Sequence, residues 1–270
     1  MGCLAAWAGD KTVIHLFLSS WRTIGVLLLV FAPLTSSCQM NETPDPNEFR
    51  LYAATVTDIF GRGAVRDLAR AAAAGKTDEV ARAVQAGADP NARGKEGLTP
   101  LFWSIMANNA AGDSALLKAG AKPNLPMRLN NGKGLEWDEY PVVIAAKGKP
   151  EVLKALLENG GNPESTSPKL SALQASVFCL DCVKLLVQYG SNVNRMIEGG
   201  NAGHLAVTNG QLDVVIYFLE HGYNLELDQI AWFAKTHGGP TNTDPRKQKI
   251  VNMIKAKGIQ PFVPDWEKGK

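Results

Sequence analysis

The stretch Gly87-Ala-Asp-Pro-Asn91 decides the fold, because it returns along the chain at near-constant spacing. Its further copies are Gly120-Ala-Lys-Pro-Asn124, Gly160-Gly-Asn-Pro-Glu164, Gly190-Ser-Asn-Val-Asn194 and Gly222-Tyr-Asn-Leu-Glu226. The steps between their first glycines are 33, 40, 30 and 32 residues. A period near 33 residues is typical of stacked helical repeats. Since such repeats contact mainly their neighbours, we expect one elongated domain rather than two globules.

An amphipathic run precedes each copy, for example Val183-Lys-Leu-Leu-Val187 before Gly190. Apolar residues at i, i+3, i+4 and i+7 mark one face of a helix. The glycine that follows suits a left-handed helix C-cap, where a Cβ would clash. Asp89, and asparagine at the matching positions of later copies, can hydrogen-bond nearby backbone and hold a turn.

A second phrase precedes each helix pair, and its best copy is Gly97-Leu-Thr-Pro-Leu101. Thr99 is well placed as a helix N-cap and Pro100 as the first helical residue, where no backbone donor is needed. Weaker copies begin at Tyr140, Ser171 and Asn201. The predicted unit is a turn, a short helix, a turn, a longer helix and a loop.

The two phrases together resemble the ankyrin repeat, over about residues 64–226 and in degenerate form to about 260. The resemblance implies an all-α ankyrin-repeat solenoid of about five repeats plus a C-terminal capping unit. That unit would use Gln229–Thr236 and Lys247–Lys257. The copy at 201–206 keeps His204 and Ala206 but has Asn, Ala and Gly where the family has Thr, Pro and Leu. The basic residues of 246–257 would give the cap a polar outer face.

The step of 40 residues implies an insertion of about seven residues in the third repeat, within Pro126–Tyr140. Asn131-Gly132 is a strong turn signal for a β-hairpin. Insertions in repeat proteins map to loops on one face, which is often the binding face. We therefore predict an inserted hairpin that contributes to binding.

The amino-terminal segment carries an apolar stretch of 12 residues, 23–34, directly after Arg22. This length is short for a membrane span but suits the core of a signal peptide. Leu34-Thr-Ser-Ser-Cys38 resembles a bacterial lipobox, which implies a signal peptide over 1–37 and a lipid (palmitate) anchor on Cys38. Gln39 after the cysteine then implies a lipid-anchored protein of the bacterial cell envelope, in the outer membrane and facing the periplasm. An uncleaved anchor is the alternative, and a start at Met40 would give a soluble cytosolic form.

We expect residues 38–60 to be a flexible tether, since they contain few apolar residues and several prolines. The repeat domain would follow over 61–260, with a tail at 261–270. The formal net charge of +2 provides no electrostatic footprint for nucleic acid.

Cys179 and Cys182 lie between the two helices of the fourth repeat. A redox pair would need a βαβ context, and a zinc site would need a second pair of ligands. A local disulfide and two reduced thiols remain open. We predict no cofactor and no metal.

The sequence carries no recognisable catalytic motif, neither a Gly-Xaa-Ser-Xaa-Gly nucleophile elbow nor a His-Glu-Xaa-Xaa-His zinc motif. The acids Glu136, Asp138 and Glu139 are expected to form a solvated face of the hairpin. His204 occupies the ankyrin position where the resemblance implies a structural hydrogen bond. We predict that the protein is not an enzyme.

Aromatic and arginine side chains are the most frequent anchors of interfaces. Trp103 is either core or part of a concave groove. Trp137 either packs from the hairpin against the next repeat or binds a partner. The candidate partner-binding residues are Arg93, Lys95, Trp103, Arg128, Lys133, Trp137, Asp138, Tyr140, Lys169 and Glu198.

These features indicate a lipid-anchored module, monomeric when free, that binds a protein. A lipoprotein with degenerate ankyrin repeats resembles the immunity proteins of type VI secretion lipase effectors, which implies a lipase-type toxin as the partner. The alternative is an envelope scaffold or chaperone for a resident periplasmic enzyme. An accessory subunit of an enzyme and a secreted, host-directed effector are further alternatives.

Overall fold

The computed structural model describes residues 48–51, 53–130, 136–236 and 243–263. The predicted signal peptide, Cys38 and the Asn131-Gly132 turn lie outside these ranges. The described helices are α1 Val56–Phe60, α2 Ala64–Ala73, α3 Thr77–Gln85, α4 Pro100–Met106, α5 Ala110–Lys118, α6 Pro141–Ala146, α7 Pro150–Glu158, α8 Ala172–Ala175, α9 Leu180–Gln188, α10 Ala202–Thr208, α11 Leu212–Glu220, α12 Leu227–Thr236 and α13 Pro245–Ala256. The strands are β1 Met127–Asn130, β2 Glu136–Glu139, β3 Met196–Ile197 and β4 Gly200–Asn201.

Helices α2 to α13 form six successive pairs, which we number one to six. The first helices of the pairs (α2, α4, α6, α8, α10 and α12) pack in one row, and the second helices (α3, α5, α7, α9, α11 and α13) pack in another. The hydrophobic core runs between the two rows and includes the fully buried Phe102, Leu156, Leu186 and Phe218. This arrangement fits the predicted all-α solenoid, because each pair buries its apolar face against its neighbours.

The predicted helix starts are confirmed where the side chain can cap. The Thr99 hydroxyl accepts a hydrogen bond from the Phe102 N–H at 3.3 Å, and Pro100 is the first helical residue. Ser171 forms a reciprocal capping box with Gln174. Asn201 accepts from the His204 N–H at 2.7 Å. Tyr140 makes no side-chain cap, so Pro141 alone favours the start of α6.

The predicted helix ends are confirmed as well. The five glycines that open the first phrase all have left-handed backbone, with φ from +84° at Gly160 to +99° at Gly190. The turns after them are held as expected, since the Asp89 carboxylate accepts from the Asn91 N–H at 2.8 Å. Asn162 and Asn192 make the equivalent bond at 2.9 Å.

The last residue of the phrase joins neighbouring repeats through its side chain, which the sequence pattern did not predict. Asn124 donates to the Gly160 carbonyl at 2.9 Å and accepts from the Asn162 N–H at 2.7 Å. Asn91 and Asn194 make the same two bonds to the phrase that follows them. A recurring asparagine at this position was the available signal.

The predicted tether needs correction where the structure describes it. Residues 48–51 and 53–60 pack against the first two helix pairs instead of extending as a flexible chain. Val56 is fully buried in α1, and Glu48 forms an ion pair with Arg70 at 2.9 Å. Phe49 packs edge-on against Trp103, with ring centroids 5.0 Å apart. The apolar side chains within this mostly polar segment cover α2, the Lys95–Gly97 turn and Trp103.

The C-terminal unit forms two helices close to the predicted ranges, but its basic residues do not simply face solvent. Arg246 contacts Asp213 of α11 at 2.6 Å, and Lys249 contacts Glu220 of α11 at 3.0 Å. These ion pairs join pair six to pair five. The start of the predicted tail also docks, since the Phe262 N–H donates to the Asp228 carbonyl at 2.9 Å. Residues 264–270 lie outside the described ranges.

Candidate partner-binding site

An open groove of about 680 Å³ lies between the loop before α4 and the strand pair β1–β2. We call it the charged groove, because five of the seven residues that line it carry charge. Its lining consists of Arg93, Glu96, Gly97, Pro126, Arg128, Glu136 and Asp138. Both walls precede a helix pair in the chain, so the stacking of pairs two and three sets the distance between them.

The first wall is a tight turn at Lys95–Gly97. Glu96 and Gly97 both have left-handed backbone, with φ of +58° and +67°. The Gly94 N–H donates to the Leu98 carbonyl at 2.8 Å, and Arg93 donates from its guanidinium to the Gly97 carbonyl at 3.2 Å. A Cβ at Gly94 would lie 2.7 Å from the Ile59 carbonyl of α1. The docked amino-terminal segment therefore supports this wall.

The second wall is the antiparallel pair β1–β2, which lies within the predicted insertion. Its register places Arg128 opposite Asp138 and Leu129 opposite Trp137. The Arg128 Nε contacts the Asp138 carboxylate at 3.3 Å, while the Arg128 side chain stays 65% exposed. A pair this exposed stabilises the fold little, since solvent screens it. The guanidinium thus keeps most of its capacity for an external carboxylate.

The second wall ends at Glu139, which we call the foot of the groove, and this residue is buried rather than solvated. Glu139 is 8% exposed, and its carboxylate lies 3.8 Å from the Lys147 ammonium that follows α6. Burial raises the pKa of Glu139, and Lys147 opposes that change only in part. The expectation that Glu136, Asp138 and Glu139 form one solvated face is therefore wrong for Glu139. Strand alternation points it opposite to its neighbours.

The structure brings three of the sequence-predicted residues together, namely Arg93, Arg128 and Asp138. Lys95 is exposed in the turn of the first wall. Trp137 and Tyr140 are half-buried and pack against the core, so each presents only part of its surface. Glu96 and Glu136 complete the groove and were not among the predicted binding residues. Their exposed positions next to predicted loop residues were the signal for them.

Other predicted residues lie elsewhere. Lys169 and Glu198 are exposed on the loops before pairs four and five, where they do not line the charged groove. Those two loops touch, because a Cβ at Gly199 would lie 3.0 Å from the Lys169 carbonyl. Lys133 lies outside the described residues.

Trp103 requires a correction. Its side chain is fully buried beneath Phe49 and Phe60, whose rings meet it edge-on at 5.0 and 6.2 Å. A side chain with no exposed surface cannot contact a partner. Trp103 is therefore core, the other of its two sequence-based placements, because the amino-terminal segment covers it.

His204 does not line the charged groove. His204 lies 3.3 Å from the Glu226 carboxylate and edge-on against Phe233, which places it in a structural contact between pairs five and six. Within the described ranges, no three His, Cys, Asp or Glu side chains cluster as a metal site would require.

A disulfide joins Cys179 and Cys182, whose α-carbons are 5.2 Å apart. Cys179 is the N-cap of α9, and its sulfur accepts from the Cys182 N–H at 3.2 Å. Phe178, next to it, is 54% exposed. The sequence left open both a local disulfide and two reduced thiols, and the structure contains the disulfide.

Models of ankyrin repeats match residues 142–229, as three copies, and residues 68–119. None of the curated proteins compared with the chain matches it significantly. Among the helices that the structure describes, none combines the length and the apolar character needed to cross a membrane.

Proposed function

Because this chain is an ankyrin-repeat protein, and such repeats form protein–protein interaction modules, we propose that it is a lipid-anchored binder of one envelope-targeted protein. The proposed partner is a phospholipase effector of type VI secretion, and the chain would act as its immunity protein. The anchor would be Cys38, in the outer membrane and facing the periplasm. Tethering would raise the inhibitor's effective concentration beside the membrane under attack.

The charged groove is the observation that carries the proposal. Both walls carry charges of both signs, with Arg93 and Glu96 on the first wall and Arg128, Glu136 and Asp138 on the second. A surface of both signs selects a partner by charge register and rejects a wrong partner through like-charge contacts. Inhibition would be steric, with the two walls gripping the effector and blocking the entry of its substrate.

The disulfide supports the proposed compartment. Structural disulfides persist in oxidising environments such as the bacterial periplasm and are rare in the cytosol. A bonded Cys179–Cys182 pair is consistent with export of the repeats. Replacing Cys38 with serine should release the chain from the membrane fraction. Continued membrane association of that variant would favour an uncleaved anchor.

Partner capture tests the binding function. The full chain with a C-terminal tag is recovered from envelope extract, and co-eluting proteins are identified by mass spectrometry. Recovery of a lipase-like toxin at near-equal amount, together with inhibition of its phospholipase activity by the purified chain, is the expected result. Recovery of a resident periplasmic enzyme instead would favour the scaffold or chaperone function.

Charge reversal tests the groove itself. The double variant Arg93→Glu and Arg128→Glu should lose capture and inhibition, because it inverts the groove's positive positions. The matched control reverses Lys154 and Lys184, two exposed lysines on α7 and α9. Equal loss in both variants would show that net charge, and not the groove, governs binding.

A further inference from the structure

A carboxyl group lies buried at the junction between helix pairs two and three. Asp113 of α5 has no exposed surface, and neither of its oxygens has a hydrogen-bond partner among the described residues. The Ser104 hydroxyl of α4 is buried and unpartnered too. At the preceding residue, Gly112, a Cβ would collide with the Ala72 carbonyl of α2, so the helices meet without intervening space.

The nearest opposite charge comes from the next helix pair. Lys149 lies in the turn between α6 and α7, and its half-buried ammonium donates to the Ile105 carbonyl of α4 at 2.5 Å. The same turn sends Lys147 to Glu139 at the foot of the charged groove. Gly148 between them has φ of +123°, a backbone conformation that L side chains rarely adopt. One short turn therefore carries both the lysine that lies beside the Glu139 carboxylate and the lysine whose charge acts on Asp113.

The remaining helices around α5 bring no further charge to Asp113. Helices α2, α3, α4 and α7 pack against α5. Helix α4 has no charged residue, and the charged side chains of α3 and α7 are exposed. On α2, Arg66 pairs with Asp67, and Arg70 pairs with Glu48 and Asp67. Lys149 is thus the charged group, and Ser104 the polar group, that act on Asp113.

We propose that the junction between helix pairs two and three is a pH-sensitive element, tight in acidic solution and progressively weakened as the pH rises to neutrality. This inference goes beyond binding and does not rest on the identity of the partner. Because the same turn holds the foot of the charged groove, the junction also positions one wall of that groove.

The direction follows from which form of the carboxyl group the site accepts. The site favours the neutral carboxyl group, because a buried carboxylate loses the solvation that stabilises its charge. Burial raises the pKa of Asp113 from 3.8 to about 7, and the Ser104 hydroxyl and the Lys149 charge lower it only in part. The group's contribution to stability is therefore complete below pH 3.8 and is lost as the pH rises through about 7. Burial raises the pKa of Glu139 also, so its contribution has the same sign.

Urea unfolding of the full chain in a mild detergent, at pH 5.5 and pH 8.0, tests the proposal. The unfolding equilibrium constant should be roughly 30-fold larger at pH 8.0, because its tenfold rise per pH unit continues from pH 5.5 to the folded-state pKa of about 7. Asp113→Asn should lose most of this ratio. The control Asp181→Asn, at a side chain 75% exposed, should keep it. An Asp113→Asn variant with the wild-type ratio would overturn the proposal.

A second measurement covers the case in which Asp113→Asn does not fold. Carbon-13 NMR of aspartate carboxyl groups in the wild-type chain should show one that titrates near neutrality. Amide hydrogen exchange should rise between pH 5.5 and 8.0, after correction for intrinsic rates, in α5 and at Lys147–Lys149 more than in α11. If every aspartate titrates below pH 5, the proposal is wrong.

Discussion

In helix pairs three and five, the second residue of the first helix packs against the second residue of the glycine phrase. The large and the small residue are exchanged between the two pairs. In pair three the helix residue Val142 is large, and the phrase residue Gly161 is small. In pair five the helix residue is Gly203, and the phrase residue is the buried Tyr223. Contact is direct in both, since a Cβ at Gly161 would lie 3.0 Å from Val142 and a Cβ at Gly203 would overlap the Tyr223 ring. Either position at this contact can therefore be glycine when the facing residue fills the space.

Gly203→Leu should have the largest effect, because it restores the side chain usual in the family without making room for it. We expect a loss of about 4 kcal/mol in the free energy of unfolding, measured by urea denaturation. Adding Tyr223→Ala should recover at least half of that loss. A double variant no more stable than Gly203→Leu alone would show that the two positions do not exchange volume.

Tyr223→Phe separates the volume of the ring from its hydroxyl. The hydroxyl donates to the Asn201 side chain at 2.7 Å in a buried site. Losing this bond should cost about 1.5 kcal/mol, since the Asn201 oxygen keeps the His204 N–H as a donor. Thermal unfolding followed by circular dichroism measures the change. A loss as large as that from Gly203→Leu would place the importance in the hydrogen bond and not in the volume.

Replacing Gly161 and Gly203 each with alanine adds one carbon at both positions, so the two costs can be compared directly. Gly161→Ala should cost about 1 to 2 kcal/mol, because its Cβ would lie 2.8 Å from the Leu156 carbonyl and 3.0 Å from Val142, while the loss of entropy in the unfolded chain offsets part of this cost. Gly203→Ala should cost severalfold more, because the Tyr223 ring is fixed by Asn201 and stacks on Phe218. Urea midpoints of the two variants give the ratio. Equal midpoints would mean that Tyr223 can move away freely.

Periodicity predicted the helix pairs, their caps and the end of each unit, since these depend on local backbone requirements such as left-handed φ at Gly87. The sequence showed that the phrase at 201–206 differs from the family pattern, but it did not show why. Gly203 is explained only by Tyr223, twenty residues later, and the sequence alone does not show that the two meet. Trp103 was ambiguous for a similar reason, because Phe49 covers it from outside the repeats.

The candidate site was partly predictable. Loop position and residue type pointed to Arg93, Arg128 and Asp138, and the stacking of pairs two and three brings them to one groove. The burial of Glu139 and Asp113 was not predictable, since an acidic residue in a loop or on a helix is usually exposed. Such exceptions arise from tertiary packing, which a pattern of residue types does not contain.

The docking of Glu48 and Phe49 shortens the free linker between the proposed lipid anchor and the repeats. With attachment at residue 48, ten residues from Cys38 remain, and they span at most about 35 Å. A linker of that length would keep the first helix pairs close to the bilayer surface. A partner that works on phospholipid would be met there, whereas one in the middle of the periplasm would be out of range.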